Sequence, residues 1–147
     1  MKSLSVKLGV ILIGFSIFSY VEVWGADWKY FAARADGILY WYDAQGVTYR
    51  PNNVIQVWVK KVKADEIMRM VESGTKITAS ELEQMTLGRN HDRSLIEIDC
   101  VENTFHILQR LNYDSKGVLK SGESSPGGKK PIVKNSAAER LYQAVCK

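Results

Sequence analysis

The chain has 147 residues, with 20 lysines and arginines against 16 aspartates and glutamates for a formal charge of +4, and 46% of its residues are hydrophobic. That length and apolar content suit one domain with a real core. The basic excess is mild and scattered among acidic residues, which argues against nucleic acid as a partner.

In chain order, Lys2 and Lys7 precede an apolar run from Leu8 to Tyr20, and Val23 and Gly25 then stand at −3 and −1 of a cleavage site. This layout predicts a secretory signal peptide over residues 1–25, leaving 26–147 as the exported domain. The alternative is an uncleaved anchor, but the run is shorter than the roughly 18–20 residues a bilayer span needs. No cysteine stands near Gly25, so no N-terminal lipid anchor is expected, and loss of Lys2, Lys7 and Glu22 lowers the charge by one. No later apolar segment has spanning length, so the exported domain is not expected to be an integral membrane protein. Export places it in an oxidising compartment, where its two cysteines read as one bridge, Cys100–Cys146. Two free thiols or an intermolecular bond are the alternatives.

From Asp27 the chain reads as short strands. "DWKYFAA" and "GILYWYDA" flank a turn at Arg34–Gly37 and predict a hairpin. Gly46 turns the chain and Pro51–Asn53 breaks it. In "VIQVWVKKV", Ile55, Val57 and Val59 share one face while Val54, Trp58 and Val62 share the other, the mark of a central strand covered twice. "ADEIMRMVESG" predicts a short helix with Asp65 as N-cap, an apolar face of Ile67, Met70 and Val71, and a stop at Gly74. A second short helix is expected with Ser80 and Glu83 in capping-box spacing and Gly88 at its end. Arg89 to Arg93 reads as a loop.

In "SLIEIDC", Ile96, Ile98 and Cys100 alternate with Glu97 and Asp99, a half-buried strand with Cys100 on its buried side. Val101–Asn103 turns into "TFHILQRLNYD", whose apolar face is expected to hold Phe105, Ile107, Leu111 and Tyr113. After a turn at Asp114–Gly117, "VLKS" is a short final strand and Ser121–Lys130 a Gly/Ser/Lys-rich loop. Ser136 and Glu139 have the S-x-x-E spacing that starts a helix, and Ala138, Leu141, Tyr142 and Val145 follow as an apolar stripe. Such a helix lying across the sheet carries Cys146 towards Cys100.

Several of these stretches, "YWYD", "NNVIQVWVKK", "LIEIDC", "YDSKG" and "PIVKNSAAERLYQAVC", together resemble the surface-adhesin protein E-like domain, a family of small exported bacterial proteins. The resemblance runs from about Trp28 to Cys146. It implies an antiparallel sheet with a C-terminal helix tethered by a disulfide, and a role at the bacterial surface in binding host proteins.

Signals for catalysis are weak. His91, expected in a loop, and Asp92 lack metal-ligand spacing, and no haem, redox C-x-x-C, G-x-S-x-G, phosphate-loop or H-E-x-x-H motif occurs. Cys100 and His106 fall on opposite faces of a regular hairpin, and a disulfide removes the thiolate. No metal, cofactor or catalytic residue is therefore expected. Eight aromatics crowd the first half: Trp28, Tyr30, Phe31, Tyr40, Trp41, Tyr42, Tyr49 and Trp58. Most suit a small β-core. If Tyr40 and Tyr42 face the helix, however, Trp41 faces away with Leu39 and Trp58, and exposed tryptophans there form a partner surface. Lys60, Lys61 and Lys63, with Lys129, Lys130 and Lys134, either draw an anionic partner or solvate strand ends.

The sequence thus predicts an α+β fold: an antiparallel sheet of five or six strands, one or two short helices after Val62, and a disulfide-tethered C-terminal helix. Its expected role is an exported, non-enzymatic binding or adhesion module of the envelope, periplasmic or at the cell surface, whose partner is a protein or envelope component. Trp41, Trp58, Lys60 and Lys61 are its candidate contact residues. A structural accessory of an envelope assembly is the alternative, with a small hydrolase or metal-binding protein behind it.

Overall fold

In the computed structural model, which describes residues 26–147, a ten-residue strand, β4 (Val54–Lys63), is the spine of the molecule. The expected signal peptide lies outside the described residues. Among those residues, eight strands form one antiparallel sheet. They are β1 (Trp28–Ala33), β2 (Ile38–Asp43), β3 (Thr48–Arg50), β4, β5 (His91–Asp99), β6 (Thr104–Tyr113), β7 (Leu119–Ser124) and β8 (Lys130–Pro131). The order is β1-β2-β4-β5-β6-β7. Short β3 extends the β2 edge of β4, and short β8 extends the β7 edge of β6. Three helices complete the fold: α1 (Asp65–Glu72), α2 (Ala79–Thr86) and α3 (Ala137–Val145).

The two apolar faces of β4 have separate covers. Ile55, Val57 and Val59 are buried with Ile98, Tyr40 and Ala32 beneath Leu141 and Val145 of α3. Val62 turns the other way and is buried with Leu39, Trp41, Ala64, Ile67 and Leu82, the last two from α1 and α2. Burial on both sides is why apolar residues occupy both parities of this strand. The β1–β2 turn relies on Gly37 at φ 82°, where a side chain would strain the backbone and strike the Asp65 carboxylate. The Gly37 carbonyl accepts the Ala64 N–H at 2.8 Å, so this turn also sets where β4 ends and α1 begins.

That anchor moves the start of α1. Ala64, buried and pinned, is the N-cap and makes no side-chain cap bond, so Asp65 is the first helical residue and not the cap. Rooted there, the helix presents Ile67 and Met68 to the sheet, while Met70 and Val71 are exposed. The expected Ile67/Met70/Val71 face is thus corrected. In α2 the capping box is Thr78 with Glu81, two residues before the expected Ser80 and Glu83. The Glu81 carboxylate accepts the Thr78 N–H at 2.8 Å, and the shift puts Leu82 and Thr86 on the buried side. Arg89 bonds Glu66 and so ties the end of this helical pair to its beginning.

Three further expectations change. The Arg89–Arg93 loop is short, because β5 already begins at His91, opposite Val62. The loop expected over Ser121–Lys130 is strand at both ends, β7 running to Ser124 and β8 starting at Lys130. Most consequential is a bulge in β6. Ile96 pairs with Ile107 but Leu95 pairs with Gln109, so Leu108 is an extra residue. One added residue reverses side-chain parity. Phe105 and Ile107 remain beneath the α3 side, while Leu111, opposite Arg93, and Tyr113, opposite His91, pass to the far face.

At the C-terminus the helix start and the tether are as expected, but the Glu139 half of the capping box falls one residue early, on Asn135, because the Ser136 N–H goes to the Val133 carbonyl. The Ser136 hydroxyl accepts the Glu139 N–H at 3.2 Å, and the Glu139 carboxylate accepts the Asn135 N–H at 2.7 Å. Leu141 and Val145 are buried. Cys100 and Cys146 form a disulfide with a Cα–Cα distance of 5.7 Å, and the Tyr142 hydroxyl donates to the Cys100 carbonyl at 3.1 Å. No described helix is long and apolar enough to cross a membrane.

Candidate functional site

The four predicted contact residues fall into different environments. β2 alternates as anticipated, with Tyr40 beneath α3 and Trp41 beside Leu39 on the far face. Trp41 is nonetheless only 1% exposed, because α1 and α2 close over it. It is a core residue, and its expected exposure is corrected. Trp58 shares its parity but is half-buried, opposite Leu95 of β5. Lys60 stands between Trp41 and Arg93 on the same face. Lys61 necessarily points the other way and lines a groove beside α3.

On the far face, cations and rings alternate. The Lys60 ammonium lies 4.9 Å from the Trp28 ring centre and 5.1 Å from that of Trp41. The Arg93 guanidinium lies 5.6 Å from Trp28 and 4.9 Å from Tyr113. His91 stacks on Tyr113, with centres 5.1 Å apart and planes 8° from parallel. Tyr30 meets the Trp41 ring edge-on at 5.8 Å. The register puts these groups together: Trp41, Lys60, Arg93 and Leu111 face one another across four strands, and Val62, His91 and Tyr113 form the next row.

This array is electropositive and partly dehydrated. Burial lowers the pKa of Lys60, with Arg93 adding to the effect and Glu83 opposing it. Burial also lowers that of His91, against the opposing hydrogen bond to the Arg89 carbonyl. Among the described residues neither Lys60 nor Arg93 forms an ion pair. Arg93 Nε and His91 Nε2 are buried without a hydrogen-bond partner. Cations held against rings and without a paired carboxylate suit contact with anionic groups: the rings fix their position, and the guanidinium plane matches a carboxylate or sulfate edge.

The α3 side of the sheet carries the second feature, a groove of about 560 Å³. Its floor includes Val59, Ile96, Ile98, Phe105 and Ile107, and its walls include Phe31, Tyr40 and, from α3, Ala138 and Leu141. Arg34, Lys61, Lys130 and Arg140 also line it, and no aspartate or glutamate does. Burial and the nearby Arg110 and Arg34 lower the pKa of Lys61, with Asp92 and Asp36 opposing them.

Among the described residues, no group of three or more histidines, cysteines or carboxylates is placed to hold a metal. Cys100 is consumed by the disulfide, and His106 faces Glu97 across the hairpin. The residues missed at the sequence level are Arg93 and Tyr113. The sequence pattern places Arg93 in a loop and Tyr113 on the opposite face. Strand extension back to His91 would have revealed the first, since Arg93 shares parity with Leu95. The second depends on the bulge, which leaves no local mark.

Comparison with known proteins gives a family model described as surface-adhesin protein E, matching residues 28–147. No curated protein and no solved structure matches the chain.

Proposed function

Because the chain belongs to the surface-adhesin protein E family, we propose that it is an exported, non-enzymatic binding module of the bacterial envelope that adheres through its far sheet face. The observation carrying this reading is the alternation of Lys60 and Arg93 with Trp28, Trp41 and Tyr113, two cations without an ion pair among the described residues. An acidic partner gains charge contacts there at little further desolvation cost, since both side chains are already half-buried. Half-buried Trp58 and Leu95 beside them supply apolar area. The disulfide is in keeping with an extracytoplasmic location. The partner is a protein or envelope component with an acidic surface.

The test is capture of the exported protein on washed envelopes and on immobilised matrix proteins at rising salt, with the Lys60→Gln/Arg93→Gln double variant alongside. Binding should fall steeply with salt, and the variant should bind at least about tenfold more weakly. Salt-independent binding, or a variant that binds normally, would overturn the reading. Stoichiometric co-purification with an envelope complex, without capture on any matrix protein, would favour a structural accessory instead.

A further inference from the structure

The groove beside α3 is separate from the far-face array, lying across the full thickness of the sheet, and it has a different chemistry. We propose that it binds a free single-chain anionic amphiphile of the fatty-acid class, acyl chain along the strands and carboxylate at the Lys61 end. Its volume, about 560 Å³, falls within the roughly 300–1,000 Å³ of small-molecule sites. Ile96, Phe105 and Ile107 remain half-buried in its floor, so an apolar occupant finishes a burial the fold leaves incomplete.

The direction of the chain follows from the register. Along the sheet the groove runs from Ile98 and Phe105, paired with each other, past Ile96 and Ile107 to Lys61, six strand positions beyond the row of Ile98. Six strand steps cover about 20 Å, an elongated apolar trough. Positive charge is concentrated at one end, while Lys130, paired with Phe105, stands alone at the other. Lys61 has Arg34 and Arg110 as electrostatic neighbours, and Arg140 adds a cation from the helical wall. Of the carboxylates nearby, Asp36 is paired with Arg34 at 2.8 Å, and Asp92, opposite Lys61 in the ladder, offsets part of the lysine's charge. Neither lines the groove. A carboxylate headgroup there meets a surplus of positive charge, from Lys61, Arg34, Arg110 and Arg140 against Asp36 and Asp92, which a cationic headgroup would find repulsive.

The reading is tested by titrating the full exported protein with dodecanoate below its micelle concentration. Dodecyltrimethylammonium and dodecyl maltoside serve as cationic and neutral probes of equal chain length. Dodecanoate should bind saturably at one site per chain, and the cationic probe at least about tenfold more weakly. Lys61→Gln/Arg140→Gln should weaken dodecanoate by about tenfold and leave the maltoside unchanged. Ala138→Trp, which fills the trough from the helix side, should abolish binding of all three. Cooperative unfolding verifies that each variant is folded, and the charge variant decides the matter if the tryptophan variant is not. Absence of dodecanoate binding, equal affinity for the three probes, or an unaffected Lys61→Gln/Arg140→Gln variant would overturn the proposal. So would co-sedimentation with anionic vesicles in the absence of binding to free dodecanoate, which would assign the charge to a membrane surface.

Discussion

Replacing Cys100 and Cys146 together by serine removes a covalent link between β5 and α3 whose ends are 46 positions apart. If the link acts by restricting the unfolded chain, a loop of that length is worth about 4 kcal/mol. The folded helix has other attachments. Leu141 and Val145 are 2% and 4% exposed, and burial of each is worth roughly 1.5–3 kcal/mol. The Ser136 cap contributes about 1 kcal/mol, and the Tyr142 hydroxyl still reaches the residue-100 carbonyl. These contacts are sufficient to keep α3 docked without the bond, so the variant should be folded yet less stable. With a urea slope near 2 kcal/mol/M, the unfolding midpoint should drop by about 2 M. Amide exchange measured on the same samples should find α3 protected in both proteins. A shift below about 0.5 M would refute the loop argument. Unprotected α3 amides in an otherwise folded variant would refute it differently, by showing that the bond acts locally to hold the helix down.

Trp41→Ala should cost about 3–5 kcal/mol in denaturant unfolding, because the ring is fully enclosed beneath α1 and α2. Trp58→Ala should cost clearly less and instead reduce partner capture; equal losses of stability would contradict the division between them. Ser136→Ala removes the acceptor of the Glu139 N–H and should lower stability by about 1 kcal/mol, read from the urea midpoint at constant slope. The pKa of His91 is depressed in the folded protein, chiefly by burial, so the unfolded chain takes up that proton first. Its contribution is therefore complete above the ordinary value near 6.5 and is lost as pH falls from there through the folded pKa. Thermal midpoints between about pH 7.5 and 5 should decline less steeply in His91→Gln than in the parent, and parallel curves would exclude this residue as the source.

Features legible in the sequence are those with a short-range cause. The alternation in "VIQVWVKKV" announces a strand covered on both faces, and Ser136 with Glu139 announces a helix start, because each signal is complete within a few residues. The two cysteines, one at the end of a strand and one at the end of that helix, carry the long-range pairing with them. Even Asp65 and the Ser80 box missed by only one or two positions, displaced by the Gly37–Ala64 hydrogen bond and by burial of Leu82. Of the candidate contact residues, Trp41 and Trp58 stand on the face expected of them, but Trp41 is enclosed; Lys60 joins that face and Lys61 belongs to another surface.

The residue pattern by itself determined the strands, the capped terminal helix and its tether, since hydrophobic period, capping chemistry and cysteine count are properties of the chain. Which surfaces remain open was decided only in the tertiary structure. Trp41 and Trp58 have the same parity, yet one lies where α1 and α2 land and the other does not. Leu108, one extra residue, carries Tyr113 to Arg93 and leaves Ile107 in the groove. Such outcomes depend on register and on contacts between distant segments, and a one-residue shift reverses every side chain beyond it.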